Sequence, residues 1–356
     1  VGLERFDYHL PSEAIAQRPT SHRSAARMLV ALDDSSPPRH LTVADLPDVL
    51  EPGDLLVVNE TRVIPARLRL RKATGGAVEV LLLEPAADDR GGGRWEALVR
   101  PGRRVAAGTT LYAGDDPAVE VGGAAGPGHA APPGGAAGPS GAVPDGRRVV
   151  RLFDDSLLDS RGELPLPPYI HQPLDDPDRY QTVFARRSGS VAAPTAGLHF
   201  DAELVERCGE RGVQVATVDL AVGPDTFRPV KASRPEDHDM HSERYAVPTE
   251  TLDACTKARR VVAVGTTTVR ALESAAATGE LQGRTSLFIH GSFPFRLVDV
   301  LLTNFHLPRS SLLLLVDAFC GERWRGLYDL ALDEGYRFLS FGDAMLVSRS
   351  GTGSGA

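Results

Sequence analysis

The chain has 356 residues, 42% of them hydrophobic and 24% charged, and its 39 Lys+Arg against 47 Asp+Glu give a net charge of −8. That is globular composition with room for two domains, and the acidic balance argues against a generally basic nucleic-acid-binding surface, so any RNA has to be gripped locally. The longest apolar run, residues 311–319 (SLLLLVDAF), is interrupted by Asp317 and too short to span a bilayer.

The opening residues, VGLERFDYHLP, lack the basic region and apolar core of a secretion signal, and the expectation is a cytoplasmic protein with no membrane partner. Further along come short β-like runs: VEVLLLE from Val78, WEALVR from Trp95, TTLYAG from Thr109 and RRVVRLF from Arg147. Between the last two, residues 121–144 (VGGAAGPGHAAPPGGAAGPSGAVP) hold too little apolar surface to offset their ordering entropy. Short strands and Gly-rich turns predict a small antiparallel β domain over residues 70–153, with a disordered Gly/Ala/Pro loop at about 121–144. On either side, strands alternate with helical periods, as in VVAVG then TTTVRALESAAATG from Val261. This predicts a larger mixed α/β domain made of residues 1–69 and 154–347, into which the β domain is inserted. Residues 348–356 (SRSGTGSGA) read as a flexible tail.

Four segments carry candidate chemistry. Residues 188–200 (SGSVAAPTAGLHF) join small side chains, which let a ligand approach the backbone, to His199 just before a helical period; a plain turn with a hydrogen-bonded structural histidine is the alternative. In residues 261–270 (VVAVGTTTVR), Gly265 and three threonines lie between an apolar strand and a helix, where backbone N–H groups favour a carboxylate or phosphate; the alternative is a Thr N-cap alone. The spacing and lysine of a P-loop are missing. Around Glu236, EDHDMHSERY places His238, His241 and Glu243 together, a pattern that fits a proton-transfer or hydrogen-bonding cluster, or a solvated loop, better than a metal site. Near the C-terminus, Asn304 and His306 end an apolar strand, where α/β proteins place their ligands. Asp343, in the approach to the final core strand, could face a site, and the structural reading is preferred. Cys208, Cys255 and Cys320 lie far apart with no CxxC pair, so neither a zinc knuckle nor a disulfide framework follows.

Taken in order, FDYHLP at Phe6, NETRVIPARL at Asn59, LPLPPYI at Leu164, YQTVFA at Tyr180, VAAPTAGLHF at Val191, EDHDMHSE at Glu236, VGTTTVRALES at Val264, TNFHLP at Thr303 and YRFLSFGDAML at Tyr336 closely resemble the S-adenosylmethionine:tRNA ribosyltransferase-isomerase (QueA) family of queuosine biosynthesis. The resemblance covers nearly the whole chain. It implies an α/β domain carrying an inserted small antiparallel β-barrel. It also implies transfer of the ribosyl part of S-adenosylmethionine to a 7-aminomethyl-7-deazaguanine in the tRNA anticodon loop, with epoxyqueuosine, adenine and methionine as products. No metal and no cofactor beyond S-adenosylmethionine as co-substrate is implied, because the sulfonium acidifies the neighbouring C5′ protons and what is needed is a base. His199, His238, His241 and His306 become catalytic candidates, a histidine near neutral pH being able to take that proton or protonate departing adenine. Thr195 and Gly197 are assigned to close contact with the nucleoside, Gly265, Thr266 and Thr267 to the methionine carboxylate, and Arg270, Asn304 and Asp225 to substrate binding.

Two segments leave the family pattern. Where the family has Leu-His-Val-Gly, a small residue and Gly-Thr-Phe, this chain reads LAVGPDTF from Leu220, with Ala221 for a histidine and Asp225 for a glycine. Residues 289–295 (IHGSFPF) place His290 and Ser292 where the family tends to have an aromatic residue followed by Pro-Gly. The alternatives to the family reaction are a diverged S-adenosylmethionine-dependent enzyme acting on a small nucleoside or metabolite, and a silent binder of RNA or S-adenosylmethionine.

Overall fold

The computed structural model describes residues 2–33, 35–86, 93–124, 146–227, 229–230 and 232–351. It divides into two units: Val1–Arg62, Pro167–Ser188 and Ala192–Ala356 form the larger, and Val63–Leu166 with Gly189–Val191 the smaller.

The chain first forms β1 (Arg27–Ala31), β2 (Arg39–Thr42) and β3 (Leu55–Asn59) of the larger unit. It passes by β4 (Thr61–Val63) into β5 (Arg67–Lys72), β6 (Ala77–Pro85), β7 (Arg94–Arg100), β8 (Thr109–Ala113), β9 (Asp116–Ala124) and β10 (Arg147–Leu152). It returns by β11 (Arg187–Ser190) to β12 (Gln214–Leu220), β13 (Glu243–Ala246), β14 (Val261–Val264), β15 (Gln282–Thr285), β16 (Val300–Asn304) and β17 (Ala344–Ser348). The helices are α1 (Leu46–Val49), α2 (Leu157–Arg161, in the smaller unit), α3 (Ala202–Glu210), α4 (Thr249–Lys257), α5 (Thr266–Thr278), α6 (Ser311–Cys320) and α7 (Arg323–Asp333).

The larger unit is a nine-stranded mixed sheet in the order β15-β13-β12-β3-β14-β16-β17-β1-β2, parallel from β12 through β3 and β14 to β16. Strands at its centre are covered on both faces, which is why β3 reads LLVV without alternation. Successive residues still point to opposite layers. Leu55 and Val57 join Leu301 and Met345 beside α5, α6 and α7, whereas Leu56 and Val58 join Leu302 and Leu346 beside α1 and α3. Side-chain caps fix two helix starts: Asp201 accepts from the Leu204 amide (2.8 Å) and Ser310 from that of Leu313 (3.2 Å).

The smaller unit is a closed antiparallel barrel, β10-β7-β6-β5-β8-β9. Its first strand begins at Arg67, ahead of the expected boundary at 70: in RLRLRK the leucines Leu68 and Leu70 enter the barrel core while the arginines alternate outward. The unit also runs past 153, through α2, to Leu166. Strand β9 takes in residues 121–124, which the sequence assigns to the loop. The cause is a close approach that requires glycine, since a Cβ on Gly122 would sit 2.7 Å from the Val149 carbonyl oxygen. The rest of that segment, residues 125–145, and residues 352–356 of the expected tail lie outside the described residues, while Ser348 closes β17.

Among the described residues no helix is long and apolar enough to cross a membrane. The longest apolar run forms α6, where Asp317 accepts from Trp324 Nε1 (2.9 Å). All three cysteines are buried free thiols.

Candidate functional site

Strands β3, β14 and β16 are parallel neighbours, and each ends in a residue that turns from core to chemistry. Strand β16 ends at Asn304, which is buried. Its Oδ1 accepts from Thr195 Oγ1 (3.0 Å) and its Nδ2 donates to His199 Nε2 (3.1 Å), which leaves the imidazole proton on Nδ1. Thr195 and His199 belong to one short 3-10 turn, Thr195–His199, so a single amide holds both ends of it.

Two residues beyond Asn304, the His306 backbone is gripped from both sides. The Tyr8 hydroxyl donates to its carbonyl (2.5 Å) and its N–H donates to the Tyr328 oxygen (2.9 Å), while its Nε2 meets Thr303 Oγ1 (2.9 Å). Burial pushes the His306 imidazole down to about 3. Burial likewise pushes His199 down to about 4; Asp343 opposes this, and Arg337 and Arg23 add to it. Both are therefore neutral hydrogen-bonding groups, which corrects the expectation of histidines poised near neutral pH. Loss of hydration is the reason, with no carboxylate hydrogen-bonded to either ring to offset it.

Two adjoining clefts open at this point. They share Thr195, Thr226, Asn304, His306 and Leu312; one extends to Tyr169, Leu339 and Ser340, the other to Val222, Gly265, Thr266 and Thr267. Leu339 is held at φ 68°, a left-handed conformation that leucine rarely adopts, and its N–H donates to the Phe305 carbonyl (3.1 Å). Tyr169 and Ser340 bond to each other through their hydroxyls (2.8 Å).

Gly265 follows β14 at φ 89°, so glycine is required there, and it caps α5 itself without a side-chain bond. The Thr N-cap alternative therefore does not hold. Thr266 and Thr267 are the first helical residues, whose amides a helix cannot satisfy internally, and they wall the second cleft. Asn59, at the end of β3, donates to Thr267 Oγ1 (3.3 Å) and accepts from the amides of Thr61 and Leu220 (3.1 Å each).

A second polar cluster centres on Glu243. Its Oε1 accepts from the Gly223 amide (2.9 Å), Thr226 Oγ1 (3.2 Å) and His241 Nε2 (3.1 Å), and its Oε2 pairs with Arg270. Burial would raise the Glu243 pKa, but the Arg270 guanidinium, then His241 and the Gly223 amide, outweigh it and hold the carboxyl at about 2. Arg270, assigned from the sequence to substrate, is thus buried against Glu243 and donates through Nε to the Leu287 carbonyl (3.2 Å). His238 turns instead to the edge of Phe288 (5.1 Å), whose ring also meets His290 (4.7 Å), and burial and then His241 lower its pKa. Asp343, read as structural, accepts from the backbone amides of Arg27 and Arg337 (3.0 and 2.8 Å).

Of the residues named from the sequence, Thr195, Gly265, Thr266, Thr267, Asn304 and His306 line the clefts, and His199 is bonded directly to one of them. Gly197 does not line them; a Cβ there would lie 2.9 Å from Thr182 Cγ2, so its smallness serves that packing rather than a ligand. His238, His241 and Arg270 also stand off the cleft walls. The side chain of Asp225 lies outside the described residues; its backbone belongs to the turn Pro224–Phe227. Sequence reasoning missed Tyr8, Asn59, Tyr169, Thr226 and Ser340, and gave Glu243 no role of its own. Asn59 and Tyr169 stand in NETRVIPARL and LPLPPYI, segments that already carried the resemblance. Among the described residues no group of three His, Cys, Asp or Glu is placed to hold a metal ion.

These features define an α/β protein with a small-molecule cleft where parallel strands end and a helix begins, and with a barrel inserted into the chain. The chain belongs to the family described as queuosine biosynthesis protein, whose profile matches residues 3–347. It is 51% identical over 97% of its length, and 99% of the relative's, to an S-adenosylmethionine:tRNA ribosyltransferase-isomerase of Thermus thermophilus. It is 47% identical to the protein of the same name from Rubrobacter xylanophilus, with 98% of each covered. Among solved structures it is similar to the S-adenosylmethionine tRNA ribosyltransferase of Thermotoga maritima, at 38% identity and TM-score 0.53, over 96% of this chain and 99% of that one.

Proposed function

We propose that the chain is an S-adenosylmethionine:tRNA ribosyltransferase-isomerase, moving the ribosyl moiety of S-adenosylmethionine onto 7-aminomethyl-7-deazaguanine in the tRNA anticodon loop and giving epoxyqueuosine, adenine and methionine. The observation that carries this reading is 51% and 47% identity, over nearly the full length of both chains, to relatives bearing that name. The cytoplasm is the proposed place of action, and S-adenosylmethionine the sole co-substrate.

In this reading the clefts hold the donor. The first-turn amides of Thr266 and Thr267 meet the methionine carboxylate, and Thr195 with the neutral His199–Asn304 pair meets the nucleoside. The step at C5′ removes one proton and leaves a sulfur ylide; adenine departs as the ribose opens, the substrate amine attacks, and epoxide closure expels methionine. Imidazoles held near 3 and 4 are weak bases, so His199 and His306 act as hydrogen-bonding groups. The ionised Glu243 accepts from His241 Nε2, which orients that ring beside Thr226 of the cleft wall.

The test is incubation with S-adenosylmethionine and tRNA carrying the amine, with adenine, methionine and the modified nucleoside followed by mass. Equimolar release of the three is expected, and methionine without tRNA modification would contradict the reading. A second acceptor class, a small nucleoside, draws support from Ala221, Asp225, His290 and Ser292; offering the free base in the same assay separates it from tRNA.

A further inference from the structure

We propose that one rim of the barrel is a phosphate-reading surface for RNA, with arginines as its contacts. The partner's identity as tRNA rests on the function proposed above. Strands β5 and β7 end, and β10 begins, at this rim, where the register sets Arg71 beside Ala77, Arg100 beside Glu79 and Arg147 beside Leu98. The Gly-Arg-Arg turn of residues 102–104 meets Gly146, just ahead of β10, backbone to backbone. A Cβ on Gly102 would lie 3.1 Å from Gly146 Cα, so the two glycines let the Arg103–Arg104 turn close on this edge. Lys72 Nζ donates to the Arg104 carbonyl (3.2 Å) and ties the end of β5 to the first turn.

On the barrel wall Arg69 pairs with Glu163 (2.9 Å) and Arg67 with Glu79 (3.7 Å). At the rim four arginines differ. Arg71, Arg100, Arg103 and Arg104 are exposed, and among the described residues none has an ion pair or hydrogen bond at its guanidinium. Glu79, the carboxylate opposite Arg100, is the one already engaged by Arg67. Such a cluster of like charges, in a chain whose net charge is −8, repels itself unless a polyanion compensates it. The arginines are spread over two strand ends separated by β6, about 10 Å apart, and a turn. That spacing suits successive phosphates of a nucleic-acid backbone better than one small anion, and the planar guanidinium matches phosphate geometry.

The test uses the full chain and bulk tRNA, read by fluorescence anisotropy at several KCl concentrations. Joint Arg71→Gln, Arg100→Gln, Arg103→Gln and Arg104→Gln is expected to weaken binding at least about tenfold at low salt and to make the log–log salt dependence shallower by about 2 to 3. S-adenosylmethionine affinity and the near-UV circular dichroism should not change, and the four Arg→Lys replacements should keep most of the affinity. Parent affinity and parent salt slope in the Gln variant, or a parent that binds no tRNA, overturns the proposal. Adenine release is scored separately. Rim-dependent binding without adenine release sinks the proposed reaction but leaves the rim standing, whereas turnover with an indifferent rim does the reverse.

Discussion

His199 and His306 at the cleft and His241 beside Glu243 are the same side chain in two electrostatic settings. The cleft pair is stripped of water and hydrogen-bonded to neutral partners, Asn304 and Thr303, so burial decides for His306 and outweighs the opposing Asp343 for His199, and both imidazoles are neutral. His241 faces a carboxylate that is itself ionised, because the buried Arg270 holds it so. The comparison teaches that the partner sets what a buried histidine can do. Both segments that leave the family pattern border the second setting: the Gly223 amide and Thr226 bind Glu243, and His290 meets, at a tilt, the ring that His238 touches.

The sharpest way to break this contrast is Glu243→Ala, which leaves the Arg270 guanidinium buried and uncompensated. A loss of about 3–5 kcal/mol in urea unfolding is expected, and a loss under 1 kcal/mol would show that Arg270 finds water or another partner, leaving Glu243 without its central place.

Acid titration separates the two settings next. A free imidazole titrates at 6.5, against about 4 for His199 and about 3 for His306, so below 6.5 the unfolded chain takes up protons that the folded chain refuses. Stability should be full above pH 6.5 and fall by a few kcal/mol as pH drops toward 4 and then 3. Glu243, moved from 4.5 to about 2, contributes stability that is present above 4.5 and lost as pH falls through 2. In His199→Gln the upper part of this decline should shrink, as measured by denaturation at stepped pH; an undiminished decline would place its origin elsewhere.

Thr303→Val removes the hydroxyl that His306 Nε2 meets and should cost about 1–3 kcal/mol, less than Glu243→Ala, because the group left bare is neutral. The smallest effect on the donor is expected from Ala221→His with Asp225→Gly. It should alter acceptor turnover while leaving S-adenosylmethionine affinity within about twofold, since the proposed donor contacts at Thr195 and Gly265 are untouched. Equal acceptor kinetics in parent and double variant would remove the specificity reading, and Pro224 and Asp225 would then be no more than a turn.

Much of this architecture was legible in the sequence, because the apolar run VVAV and the one that ends at Asn304 mark buried strands, and Asn304 marks where a ligand sits. The barrel was legible as short strands, but β5 was cut at residue 70 because its arginines mask the period of its leucines, and the end of β9 was lost because Gly122 there serves a close strand approach. The site was legible as pieces. Nothing in spacing joins His199 to Asn304, 105 residues away, or Glu243 to Arg270. Those pairings are made by the sheet, and with them the protonation states on which the chemistry depends.

Asn304 carries the central claim, that the clefts at the end of β16 and the start of α5 are the donor site. It lines both clefts and holds Thr195 and His199 together. Calorimetric titration of S-adenosylmethionine into the parent and Asn304→Ala, with the fold checked by circular dichroism, should show affinity falling at least about tenfold, the equivalent of one lost hydrogen bond to a buried site. Unchanged affinity in a folded variant would place the donor elsewhere.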